Sequence, residues 1–175
     1  MRIYNLSKSS RDALSENLAK IPGTPALRSK DLKTAEDDAD SLNEVIFDED
    51  EKIFLGFRKK KNKETIEKDS EIFPLLRDSW LLPSRPVITV DSGAVKFIVG
   101  GANVMRPGIT KVEGDFSAGD LVVVKEEKFG RAIAVGRANL SRGELEQSKK
   151  GAVVQNVHYA GDRFWEMLKE VLHQN

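Results

Sequence analysis

VITVDSGAVKFIVGGANVMRPG, residues 87–108, organises the chain: a β-branched run, Val87 to Val90, passes into a small-residue segment, a Gly100-Gly101 step and a Pro107-Gly108 turn. The spacing predicts a short helix over Ser92 to Val99, capped by Asp91 or Ser92, with Ala94, Phe97 and Ile98 inward and Lys96 outward. Two successive glycines let a polyanion backbone approach the main chain, and Lys96 and Arg106 stand on either side as cations. A guanidinium fork suits phosphate. On spacing alone this reading stands level with a plainer one, in which the glycines only turn the chain. Nucleotide loops are excluded. A dinucleotide fingerprint needs G-x-G-x-x-G running into a long helix, which Pro107 forbids, and a P-loop needs a Gly-Lys-Ser/Thr ending that is missing here.

Downstream, short β-like runs alternate with glycine: Asn103 to Met105, Leu121 to Lys125, Ala132 to Gly136 and Ala152 to Val157. With Val87 to Val90 these five runs suggest a small closed or nearly closed barrel. Ser141-Arg142-Gly143-Glu144 is a capping-box pattern opening a helix to Lys149, and Gly151 stops it. Asp162 caps a last amphipathic helix with Phe164, Trp165, Leu168, Val171 and Leu172 on its apolar face.

Upstream, residues 9 to 21 have helical spacing, Ser9 and Asp12 forming the start and Pro22-Gly23 the stop. Thr34 to Glu51 holds nine acidic residues and no Lys or Arg, and reads as an acidic surface segment leading into a strand, Asn43 to Phe47. A turn over Asp48 to Glu51 and a partner strand, Lys52 to Phe57, complete a hairpin. Arg58 to Lys63, RKKKNK, is either a solvated charge cluster guarding a strand edge or a nucleic-acid contact. Ile66 to Trp80 is expected to be helical, with Pro74 in its first turn or splitting it. The two prolines in Leu82-Pro83-Ser84-Arg85-Pro86 mark the best boundary. The expected division is therefore 1–84, 85–161 and a C-terminal helix over 162–175 that packs on the barrel or on the first domain; the fold class is α+β.

The 175 residues carry no net charge, but residues 83–175 hold 13 Lys+Arg against 11 Asp+Glu, which favours local basic patches over a protein-wide field. No cysteine is present, so a disulfide framework, a thiolate zinc site and a cysteine nucleophile are excluded. No run approaches the roughly 18 apolar residues of a membrane span and no signal-peptide core opens the chain, so a cytoplasmic protein with no membrane contact is expected. His158 and His173 are the only histidines, and neither a metal set nor a Ser-His-Asp triad can be assembled around them. No metal or cofactor is expected. His158-Tyr159 is a strand-end packing pair or a base-stacking platform; Asp91 is a helix cap more readily than an acid or base; Arg131 and Arg137 flank a strand and can extend a cationic surface.

Taken together, VDSGAVKFIVGGANVMRPGI, GDFSAGDLVVV, AIAVGRANLS and GAVVQNVHY, in that order, resemble a PUA domain, the RNA-binding module named after pseudouridine synthase and archaeosine transglycosylase. The resemblance implies a barrel of about six strands with two short helices, and RNA lying along the first helix, the glycine turn and the last strand. Carried onto this chain, the implied contacts are Lys96, Gly100, Gly101, Ala102, Asn103, Met105, Arg106, Pro107, Gly108 and the strand end at His158 and Tyr159. The EKIFLGFRKK…FPLLR block and the NVHY-x-GD ending extend the similarity to the translation factor family of the T-cell malignancy-amplified protein and ligatin. This chain looks like an archaeal-type, stand-alone relative. That family implies a non-catalytic role with structured RNA, transfer or ribosomal, and with the small ribosomal subunit or a protein partner of the N-terminal domain. The acidic segment and the RKKKNK tract depart from the family wording. An RNA-modification enzyme or its accessory subunit, and a protein–RNA adaptor in ribosome recycling or initiation, are the alternatives.

Overall fold

The computed structural model describes residues 1–40, 42–58, 66 and 70–173. The chain divides into two compact units, Met1–Ser84 with the chain from Glu166 onward, and Arg85–Trp165.

The first unit is an antiparallel five-stranded sheet in the order β1 (Arg2–Asn5), β2 (Lys33–Glu36), β3 (Asn43–Asp48), β4 (Ile53–Arg58), β5 (Glu71–Pro74). Between the first two strands runs α1 (Lys8–Ala19), whose N-cap is Ser7, earlier in the chain than the expected Ser9: its hydroxyl accepts from Ser10 N at 3.1 Å. Leu14 and Leu18 of α1 pack with Ile46, Leu55, Phe57 and Ile72 as one core. The β3–β4 hairpin forms as its pattern predicts, Asn43 opposite Arg58 through Asp48 opposite Ile53.

Two further expectations fail in this unit. The segment 71–80 is not a helix: Glu71–Pro74 is a strand paired with β4, Phe73 lying opposite Gly56. The acidic segment is not simply a surface. Asp37, Glu44 and Asp48 are buried, and their carboxylates organise backbone and hydroxyls; Glu44 accepts from Thr34 Oγ1 at 3.0 Å, and Asp48 from Asp50 N and Glu51 N at 3.0 and 3.2 Å through the hairpin turn. Apart from Arg58, the RKKKNK tract lies outside the described residues.

The second unit is a curled six-stranded sheet, β7-β11-β10-β9-β6-β8, with β6 (Val87–Val90) parallel to β9 (Leu121–Glu126) and the other pairs antiparallel. Its edge strands β7 (Val104–Met105) and β8 (Ile109–Glu113) are joined through a single 3₁₀ turn, Arg106–Gly108. Ile109–Glu113 is a strand beyond the five expected, and β10 (Ala132–Ala138) and β11 (Ala152–Tyr159) complete the sheet. Ile88, Val90, Ile98, Val122, Val124, Ala134 and Val154 fill its interior. Helix α2 (Ser92–Ile98) is capped by Asp91, whose carboxylate accepts from Ala94 N at 2.9 Å. Helix α3 (Arg142–Gln147) has the full Ser141/Glu144 capping box. Helix α4 (Arg163–His173), which belongs to the first unit from Glu166 onward, buries Phe164, Leu168 and Val171 as expected, and Met167 with them. Among the described residues no helix is long and apolar enough to cross a membrane.

Candidate nucleic-acid interface

The organising stretch forms a helix, a tight turn and a strand on one edge of the second unit. Helix α2 ends in a paired closure in which Gly101 N donates to Ile98 O at 3.0 Å and Ala102 N to Phe97 O at 3.0 Å. Gly101 sits between them at φ +93°, the left-handed conformation this closure needs. The side chain of Asn156 on β11 then fastens the turn to the sheet: Nδ2 donates to Ile98 O at 2.9 Å and to Ala102 O at 3.0 Å, while Asn156 N donates to Asn103 Oδ1 at 2.9 Å. The ring of Tyr159 lies beneath Gly101, where an added Cβ would come within 3.1 Å of its Oη. The result is a glycine turn whose outer face, Gly100 to Asn103, is open to solvent on a backbone fixed from below.

Around this turn the side chains sort into presenters and supports. Lys96 is exposed with its Nζ 4.9 Å from the ring centroid of Phe97. Phe97 does not point inward as the helical spacing suggested; it is 59% exposed, because a seven-residue helix lying on a sheet buries only a narrow stripe, here Ile98 with Ala94 and Val95 beside it. Met105 is 50% exposed and Pro107 is on the surface. Gly108 is half-buried and its carbonyl accepts from Asp91 N at 2.9 Å, which ties the 3₁₀ turn to the start of α2.

Arg106 is a support as much as a cation. Its Nε donates to Leu145 O at 3.0 Å near the end of α3 and its backbone N to Gly151 O at 2.9 Å, so only the remaining guanidinium N–H groups are available to a ligand. Arg137 is half-buried and donates from Nη1 to Gly119 O at 2.8 Å. His158 cannot be a stacking platform: it is 0% exposed, its Nδ1 lies 2.9 Å from Asp162 Oδ2, and Phe164 meets its ring edge-on at 6.4 Å. Tyr159, half-buried under Gly101, shapes the turn.

A second exposed aromatic of this unit, which no sequence expectation covers, stands on the β9–β10 hairpin. Phe129 is 68% exposed, with Lys128 Nζ 5.1 Å and Arg131 Cζ 5.3 Å from its centroid. The turn beneath it is built on the buried carboxylate of Glu126, which accepts from Lys128 N, Phe129 N and Arg131 N at 2.7, 2.9 and 3.0 Å. Those N–H groups, Arg131 N first, hold Glu126 below the usual carboxylate range. Glu127 joins this hairpin to the start of α2: its N donates to Val90 O at 3.0 Å and its Oε1 accepts from Ser92 N at 3.2 Å. The signal was legible as K-F-G-R, an aromatic between basic residues at a glycine turn.

Residues 86–160 match the PUA domain family. The chain is similar to translation machinery-associated protein 20 of Saccharomyces cerevisiae, 32% identical over 106 residues that make up 57% of this chain and 59% of that one. It is similar to malignant T-cell-amplified sequence 1-A of Xenopus laevis, 33% identical over 108 residues, 58% of each chain. The matched region thus spans less than two thirds of these curated relatives. Over nearly its whole length the fold is similar to a crystal structure of a PUA-domain protein from Aeropyrum pernix in complex with tartrate, at TM-score 0.75 and 28% identity, covering 96% of this chain and 91% of that one.

Proposed function

We propose, from the match of residues 86–160 to the PUA domain family, that the chain is a non-catalytic RNA-binding protein associated with translation. It holds a structured RNA end, of a transfer RNA acceptor stem or a ribosomal RNA helix, against α2 and the glycine turn. The observation that carries the reading is the open outer face of Gly100 to Asn103, fastened from below by Asn156 and flanked by exposed Lys96, Phe97 and Met105. Exposed glycine backbone lets a phosphate chain come close, Lys96 neutralises phosphate, and Phe97 offers a face to an unpaired base. Such a surface recognises shape and backbone first and bases second. The first unit is assigned the docking of a protein partner or of the small ribosomal subunit.

Lys96 is the side chain to test, since Arg106 also supports α3 and its replacement would disturb the fold. Lys96→Glu is expected to weaken binding of a labelled RNA hairpin and to lower the slope of log affinity against log salt by about one. Unchanged affinity and slope at two salt concentrations would sink this site. Phe97→Ala is expected to weaken binding with the slope preserved, because stacking releases no counterion.

A further inference from the structure

We infer that Phe129, at the tip of the β9–β10 hairpin, is a second stacking platform, which takes an unpaired base of the same RNA beyond the α2 end of the interface. The inference rests on the reading of this unit as an RNA binder and adds to it a residue outside the helix, glycine turn and last strand. Four observations support it. The ring is 68% exposed, more than any other large apolar side chain among the described residues. Its neighbours in the turn are Lys128, Gly130 and Arg131, and two cations lie 5.1 and 5.3 Å from its centroid, the pairing of aromatic face and positive charge that suits a base and its phosphate. The turn is preorganised, three N–H groups being fixed on the buried Glu126 carboxylate, so the ring is held out before any ligand arrives. Finally, Glu127 bonds the tip to Val90 and Ser92 at the start of α2, a helix of seven residues and so about 10 Å long, which keeps Phe129 within reach of a strand lying on Lys96 and Phe97.

An unpaired, single-stranded segment is the occupant, because a base inside a duplex has no free face to offer. When a base stacks on the ring, one of the two cations moves from the ring to the phosphate beside it.

The experiment uses the full chain and two probes, a fluorescein-labelled oligouridine strand and a blunt RNA duplex of equal length, read by fluorescence anisotropy. Phe129→Ala is expected to weaken oligouridine binding roughly tenfold while duplex binding is unchanged. Phe129→Trp is expected to bind near the wild-type affinity, with its indole emission quenched as the strand binds. If Phe129→Ala binds oligouridine as the wild type does while Lys96→Glu loses it, the platform is overturned and the RNA-binding reading stands. The platform is likewise overturned if Phe129→Trp fails to restore what Phe129→Ala loses. If the wild type binds neither probe, the RNA-binding reading falls and the platform with it. An unchanged melting temperature in both variants shows that the fold is intact, as expected for a side chain exposed at a turn.

Discussion

At Gly101 two independent costs meet any side chain. The backbone stands at φ +93°, and a Cβ would lie 3.1 Å from Tyr159 Oη and 3.2 Å from its Cε1. Gly101→Ala is therefore expected to lower stability by about 1–3 kcal/mol. In a Tyr159→Ala background only the steric part should be recovered, so a double-mutant cycle by urea denaturation should leave a residual cost from the dihedral alone. Asn156 acts on the same turn from the sheet side. Asn156→Ala removes both bonds to the Ile98 and Ala102 carbonyls and is expected to cost about 1–3 kcal/mol, with faster hydrogen exchange over Gly100 to Asn103. RNA affinity should fall too, although Asn156 lies beneath the exposed face. The glycines were visible in the sequence. Asn156 was not, because a side chain that reaches back to a turn 54 residues earlier leaves no local pattern.

Among the elements, those with a local cause were legible and those made by a neighbour were not. Asp91, Ser141 with Glu144, and Asp162 announced three helix starts because a cap needs only residues within one turn, and the β3–β4 hairpin announced itself through two apolar runs around an acidic turn. Strand β1 is exposed along its length and β8 buries only Ile109 fully, so neither carries an alternating pattern to read. Strand β5 looks helical in sequence because Ile72, Leu76 and Trp80 fall at helix-like intervals, whereas the deciding fact lies on another strand. Gly56 leaves the space that the Phe73 ring fills; a Cβ there would lie 2.3 Å from Phe73 Cε2, inside its van der Waals envelope. Gly56→Ala is expected to cost about 1–3 kcal/mol or more by overpacking, measured as a fall in the urea midpoint, and a smaller Phe73→Leu partner should recover part of it.

For the whole molecule, zero net charge conceals two buried carboxylates that respond to acid in opposite senses. In the second unit Glu126 is held below the ordinary carboxylate range, first by the N–H of Arg131, so its folded form binds protons less readily than its unfolded form. Its contribution is present above the unfolded value and is lost as pH falls through the folded one. In the first unit Asp78 is raised by burial, against the backbone N–H groups of Phe54, Leu81 and Leu82 that bond it. Its folded form therefore takes up a proton first, and its contribution to stability falls as pH rises through the folded value. Melting temperatures of wild type and variants across the acid range should separate the two. The advantage of wild type over Glu126→Gln should shrink as pH drops below the ordinary Glu value of about 4.3, whereas the advantage over Asp78→Asn should grow as Asp78 takes up its proton. Carboxyl-carbon NMR titration gives the direct check: a Glu126 midpoint at or above the ordinary value, or an Asp78 midpoint at or below its own, would overturn the assignment for that unit. Because Glu126 also sets the turn that presents Phe129, the acid that neutralises it should loosen the tip, and stacking at Phe129 should weaken over the same pH interval as the Glu126 titration.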